Sequence, residues 1–289
     1  MDGQPADDLR WLRDPPSLRE PVLIAAFEGW NDAGDAATIA ARHLADRFDA
    51  NLLVTVDPER YYDFSTTRPI VHLDDDHARS ISWPTNEIST GRVPSSGNDI
   101  VVLLGLEPQL RWRRFCEQIL SAARAVGARQ IVTLGALLAD VPHTRPVEVY
   151  GTSTDPDTAG RLDLSASSYE GPTGIVGVLS SEAAASGFST ASFWAAVPSY
   201  VPGAPSPKAA LALVHRVCEL LGTSVFSTDL EIAAASYERQ VDELVAEDDD
   251  TREYVRDLEE QWDLEEIDDL DDDPELLVAE VEEFLRDVD

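Results

Sequence analysis

The stretch Phe27-Glu28-Gly29-Trp30-Asn31-Asp32-Ala33-Gly34-Asp35 sets three carboxylates, an amide and two glycines where an apolar run gives way to an Ala-rich one. Such a turn could do one of three things. Phosphate binding would use the free N–H groups of a helix N-terminus. Neither Gly-x-Gly-x-x-Gly nor the Gly-Lys-Ser/Thr ending of a phosphate loop is present, however. Glu28, Asp32 and Asp35 also place negative charge there already. Metal binding by those three would lack the His and Cys that strengthen most ligand sets. Helix capping is the simplest use, because Asn31 or Asp32 can accept from first-turn N–H groups and Asp35 suits the positive end of the dipole.

Two further groups lie where the same sheet edge would present them. His143 and Arg145 follow an apolar run in Gly135–Pro146, and Thr173 and Gly174 belong to Glu170-Gly171-Pro172-Thr173-Gly174-Ile175. The glycines and Thr173 could expose N–H groups to an anion, or could let a helix start pack tightly on a sheet. With Glu28, Gly29, Asn31 and Asp32, these residues are the candidate ligand-binding set. Cys116 and Cys218 fall in segments of helical period, as reduced buried thiols would. His215, three residues before Cys218, would share its helical face and could activate it. The five histidines have no zinc-ligand spacing, and no Gly-x-Ser-x-Gly elbow occurs. No metal or cofactor is expected, and no catalytic residue is assigned.

The elements that must position these groups alternate. Val22–Phe27, Ile100–Leu104 and Gln130–Leu134 read as continuous apolar strands buried on both faces, and Asn51–Val56 as another strand. Helical spacing covers Ala36–Phe48 and Leu110–Val126, the latter stopped by Gly127. Strand, helix, strand demands a parallel sheet with right-handed crossovers, and ligands of such sheets bind beyond the strand C-termini. Residues 59–94 read as a hairpin or small β excursion at a sheet edge, with Tyr61, Tyr62 and Phe64 beside Arg60 and Arg68 covering core or lining a pocket. Val147–Gly151 and Ala191–Pro198 read as strands, Thr152–Leu164 as a polar connector, and the helices as opening at Ile175 and Lys208. The fold class is therefore α/β. Residues 1–20 form a tail, 21–228 a core and 229–289 an acidic helical appendage.

From Asp229 to Asp289 there are 27 acidic residues against four arginines, so this segment holds -23 of the chain's -33. Leu230, Ala234, Tyr237, Val241 and Leu244 nevertheless alternate spacings of four and three, and Val255, Leu258 and Trp262 resume the pattern. That is a helical seam wanting a partner. The cluster Glu247–Asp250 between its halves predicts a helical hairpin. Asp268–Asp273 reads as a joint before a last short helix through Leu277, Val281, Phe284 and Val288. The seam can fold back on the core or pack between subunits, which makes Leu230, Tyr237, Val241, Leu244, Val255, Leu258 and Trp262 interface candidates.

Phe-Glu-Gly-Trp-Asn-Asp-Ala-Gly-Asp-Ala after a buried first strand resembles the proteasome assembly chaperone 2 family, particularly its actinobacterial branch. Tyr169–Ile175 and Trp194–Tyr200 carry the resemblance onward, so that it spans roughly Pro21 to Gly222. The resemblance implies a three-layer α/β/α core and a chaperone-like role. Eukaryotic relatives dock on proteasomal rings through tails ending hydrophobic, Tyr, any residue. The ending Arg286-Asp287-Val288-Asp289 lacks that tyrosine, so that mode of docking is not expected.

Charge and composition narrow the partners. With 22 basic and 55 acidic residues, the chain cannot release counterions from nucleic acid and is repelled by anionic membranes. No apolar run approaches the ~20 residues of a membrane span, and the acidic start is not a secretory signal, so a cytoplasmic protein is expected. One reading is a non-enzymatic interaction protein, a homo-oligomer for which a trimer is one fitting number, or a subunit partnering another protein complex. The alternative is a small-molecule binder or enzyme of nucleoside phosphorylase- or hydrolase-like fold. It would use a strand-end cleft bordered by Glu28, Asn31, Asp32, His143 and Thr173, whose acidity suits a cation or an amine rather than phosphate.

Overall fold

A computed structural model of the chain describes residues 8–74, 77–164 and 169–272. Its elements in order are β1 (Leu9–Trp11), β2 (Val22–Glu28), α1 (Ala36–Arg47), β3 (Asn51–Val56), β4 (Ile70–Leu73), β5 (Arg79–Ser82), β6 (Asn86–Gly91) and β7 (Ile100–Leu106). They continue with α2 (Trp112–Ala125), β8 (Gln130–Ala139), β9 (Val149–Ser153), α3 (Pro156–Arg161), α4 (Ile175–Ala185), β10 (Ser189–Pro198), α5 (Pro207–Leu221), α6 (Thr228–Ala246) and α7 (Asp249–Asp272).

An eight-stranded sheet runs β1-β3-β6-β7-β2-β8-β10-β9. Its centre, β7-β2-β8-β10, is parallel, and the strands outside it pair antiparallel. The parallel strands are the apolar runs, since both of their faces are covered. Val22, Ile24 and Ala26 face α1 and α5, and Leu23, Ala25 and Phe27 face α2 and α4. This is the three-layer α/β/α arrangement, and it sets every strand C-terminus of the parallel centre along one edge.

The structure extends or alters several sequence expectations. β8 continues through Gly135 to Ala139, because each of its residues pairs with β10 as far as Pro198. The loop carrying His143 is correspondingly shorter. Within the expected tail, Leu9–Trp11 pairs with β3, and buried Asp8 holds Arg114 at 2.6 Å, Arg60 at 3.1 Å and the Tyr61 hydroxyl at 2.7 Å. Tyr61 is thus core, edge-on to Phe115. β4 and β5 form a separate two-stranded sheet rather than joining the main one. Part of the polar connector is helix α3, capped by Asp155. α7 continues to Asp272 through most of the expected joint. The helix expected at Leu277–Val288 lies outside the described residues.

α6 and α7 form the expected hairpin, turning at Glu247 and Asp248. Leu230 joins the main core, while Tyr237, Val241, Val245 and Val255 cluster with Tyr200 and Val201. Leu258 is buried and Trp262 half-buried. Most of the seam is therefore covered within one chain, whereas Leu244 is 57% exposed. No helix among the described residues is long and apolar enough to cross a membrane.

Candidate functional site

After Glu28 the chain reverses through Gly29, at φ 132°, and Gly34, at φ 59°. Gly34 is required twice over, because a Cβ there would meet Ser206 Cβ at 2.9 Å as well as sit in a left-handed conformation. Between them the Asn31 carbonyl accepts from Ala136 N–H at 2.8 Å, which fixes the turn to β8. Asp32 is the cap the sequence suggests. Its Oδ1 accepts from Ala37 N–H at 2.7 Å and Thr38 N–H at 3.3 Å, and its Oδ2 accepts from the Thr38 hydroxyl. Burial pushes its carboxyl up to about 6, against those hydrogen bonds. Both of its oxygens are thereby engaged in starting α1.

Asn31 is 2% exposed and takes a different partner. Its Nδ2 donates to Glu107 Oε1 at 2.9 Å, and the same oxygen accepts from Ile175 N–H at 2.9 Å. Glu107 thus ties the ends of β2 and β7 to the first turn of α4. Gly174 rests directly on the Asn31 amide, where a Cβ would come within 2.1 Å of Nδ2. Glu28 stands beside this group, with Arg42 at 3.6 Å. Burial, reinforced by the charges of Glu28 and Glu107, pushes the Tyr62 hydroxyl up, which places that ring at the same edge. Thr173 is exposed over the first turn of α4, against Gly177.

His143 and Arg145 go elsewhere. The Tyr200 hydroxyl accepts from His143 N–H at 2.8 Å and also meets Nδ1 at 2.8 Å, while Nε2 lies 3.0 Å from Asp242, a set of partners that the Nε2–H tautomer satisfies. Arg145 is bidentate on Asp263, its Nε and Nη2 each at 2.8 Å, with Glu259 at 3.5 Å. Lys208 bridges the His143 carbonyl at 2.5 Å and Glu238 at 2.6 Å. The expected loop side chains therefore bind the chain's own acidic hairpin. The space left among Val141, His143, Lys208 and Tyr237 measures about 10 Å³, the volume of one water.

The candidate ligand-binding residues thus divide into two clusters. Asn31 and Gly174 meet beside Glu28, while His143 and Arg145 clasp α6 and α7. Sequence reading missed Glu107, Tyr200 and Lys208. Glu107 carried one signal: like Glu28, it is an acid directly after a buried strand. Cys116 and Cys218 are buried, and burial pushes their thiols up to about 12 and about 11. His215 is exposed, so it does not share the buried face of Cys218. Among the described residues no group of His, Cys, Asp and Glu is arranged to hold a metal ion.

The model of the PAC2 family matches residues 26–245. The chain belongs to the PAC2 family. A PAC2 family protein of Streptomyces avermitilis is 45% identical, with a TM-score of 0.76 over 81% of this chain and 99% of that one. A Mycobacterium tuberculosis proteasome-assembly chaperone homologue is also 45% identical, at TM-score 0.74 over the same shares. An M. tuberculosis protein of unknown function is 29% identical, at TM-score 0.80 over 91% of this chain and 92% of that one. No curated protein matches. The PAC2 match takes in the Asn31 cluster, His143, Arg145 and nearly all of α6, and it stops before α7.

Proposed function

We propose that the protein works by binding other proteins, as a chaperone-like member of its family, and not by catalysis. One observation carries this reading. The hairpin α6–α7 is clasped by His143, Arg145 and Lys208 at the strand-end edge where α/β folds usually hold their substrates. The space that remains there suits one water. Two features support it: thiols raised far above neutrality make poor nucleophiles, and Asp32 is committed to a helix cap. A relative of 45% identity described as a proteasome-assembly chaperone homologue makes proteasome subunits the first partners to try. Self-association into a homo-oligomer, for which a trimer is one fitting number, belongs to the same proposal.

The test is capture from native lysate on the immobilised full chain, followed by size-exclusion chromatography with light scattering on the chain alone and with purified proteasome subunits. The reading expects a specific co-eluting protein and a mass above one chain. A chain that stays monomeric and retains no protein would sink it.

A further inference from the structure

We infer that the chain's own segment 274–289 lies on the open apolar face of the β4–β5 arm. The inference goes beyond the protein-binding reading and does not depend on it.

The arm is the least self-sufficient part of the fold. β4 and β5 pair only with each other, while β3 before them and β6 after them pair in the main sheet. Their register sets Val71 opposite Ile81 and Leu73 opposite Arg79 on one face, and Ile70 opposite Ser82 and His72 opposite Ser80 on the other. The first face is apolar, and it is open. Val71 is 53%, Leu73 60% and Ile81 54% exposed. Trp83, 46% exposed, stands edge-on to Phe64 at 4.9 Å, and Phe64 packs on the core. A two-stranded hairpin is marginal in water by itself, and a contiguous exposed apolar face marks an interaction site.

The size and charge of that face choose its occupant. Four side chains fall far short of the roughly 20–30 residues a side that a stable interface between separate molecules engages. A tethered segment needs less, because its tether holds it at an effective concentration on the order of millimolar. Two such faces packed on each other would also oppose like charges, since the ionisable side chain on each is Arg79.

The chain carries the complementary segment. Beyond α7 the sequence sets Leu277, Val281, Phe284 and Val288 at spacings of four, three and four, the stripe of an amphipathic helix. From 274 to 289 it has six acidic residues against Arg286. The strands of the arm are the opposite. No Asp or Glu stands in 68–73 or 79–83, and the acids Asp74 to Asp76 fall between the strands. Arg68 and Arg79 are exposed, with no ion-pair partner among the described residues.

Reach permits the contact. α7 meets Thr144 and Arg145 beyond the end of β8, and the arm leaves the same sheet edge between β3 and β6. Four ladder steps separate β3 from β8, or about 19 Å. The seventeen residues after Asp272 cover about 26 Å as helix and about 56 Å extended.

Hydrogen exchange on the full chain tests the contact with two double variants, each altering one side of it: Val71→Asp with Ile81→Asp on the arm, and Val281→Asp with Phe284→Asp in the segment. In the wild type, residues 70–82 and 277–288 should both be protected at least about tenfold over free peptide, independently of protein concentration. Each double variant should lower protection of the unaltered side about tenfold, while β2 and β7 exchange as before. Because the arm variant also changes the hairpin's own pairing, Arg79→Glu is the milder companion, and it should weaken protection of 277–288 several-fold at unchanged Tm. An equimolar mix of the two double variants separates the sources. A contact within one chain stays broken there, whereas a contact between copies re-forms from the intact arm of one and the intact segment of the other. Restored protection in the mix, an arm that keeps its protection when the segment is altered, or a wild-type arm that exchanges like free peptide would each overturn the inference.

Discussion

Arg145 grips Asp263 with Nε and Nη2, each 2.8 Å from a separate carboxylate oxygen, across 118 residues of sequence. A planar fork on a carboxylate is the strongest surface pairing a protein makes, and here it holds α7 against the loop that follows β8. Tyr254 adds a second point, donating to Asp140 at 2.8 Å. Reversing the charge with Arg145→Glu places it among Asp263 and Glu259. The expected loss is about 1–2 kcal/mol of local stability, or about a tenfold rise in hydrogen exchange across residues 249–263. Core strands β2 and β7 should exchange as before. Unchanged protection of α7 would show that its apolar contacts alone hold it.

Asp32 makes the fold respond to acid in a particular direction. Its carboxyl is held near 6 by burial, above the ordinary 3.8. The folded state therefore takes up a proton before the unfolded state does, so this group adds stability as pH falls through that window and subtracts it above. Asp32→Asn removes the titration while keeping one acceptor for Ala37 N–H. The stability of wild type relative to the variant should rise on acidification from about 6 toward 3.8, by up to about 1.4 kcal/mol per pH unit. Urea denaturation of both proteins across that range measures it, and a constant difference would refute it.

Much of this architecture could be read in advance because its signals are local. Val22–Phe27 and Ile100–Leu104 are apolar without a break because helices cover both faces, and Asp32 announces a helix start four residues ahead of it. Other features depend on distant partners. Leu9–Trp11 is a strand because β3 offers an open edge and because Asp8 finds Arg60 and Arg114. Gly135 and Ala136 have poor strand propensity, yet β10 pairs with them, its Trp194 ring lying over Gly135 where a Cβ would clash. The candidate site divides along the same line. The meeting of Asn31 with Gly174 is prefigured by two glycine-containing turns, but nothing near His143 in sequence foretells Asp242.

The two thiols supply a clean measure of global opening. Cys116 is 1% exposed and Cys218 5%, and burial holds both thiols up, at about 12 and about 11. At about pH 8 the thiolate that alkylating agents need is scarce in the folded state. Iodoacetamide should therefore label both cysteines only as fast as the chain unfolds, and equally in rising urea. Rapid labelling of Cys218 alone would reveal local opening of α5 at its contact with α6.

Gly174→Ala tests whether the Asn31 contact is as tight as the geometry demands. The added Cβ would stand 2.1 Å from Asn31 Nδ2 and 2.6 Å from Oδ1, atoms of a buried amide already fixed by Glu107. Either Asn31 leaves Glu107, giving up their hydrogen bond, or the first turn of α4 moves off the sheet. Overpacking of this kind costs about 1–3 kcal/mol. Gly160 in α3 is the matched control, because nothing lies within 4 Å of a Cβ built there. Its alanine should be neutral or stabilising by up to about 1 kcal/mol through helix propensity and a stiffer unfolded chain. Denaturation midpoints of the two variants should thus move in opposite directions, and a Gly174→Ala chain as stable as wild type would mean that the two loops yield to each other freely.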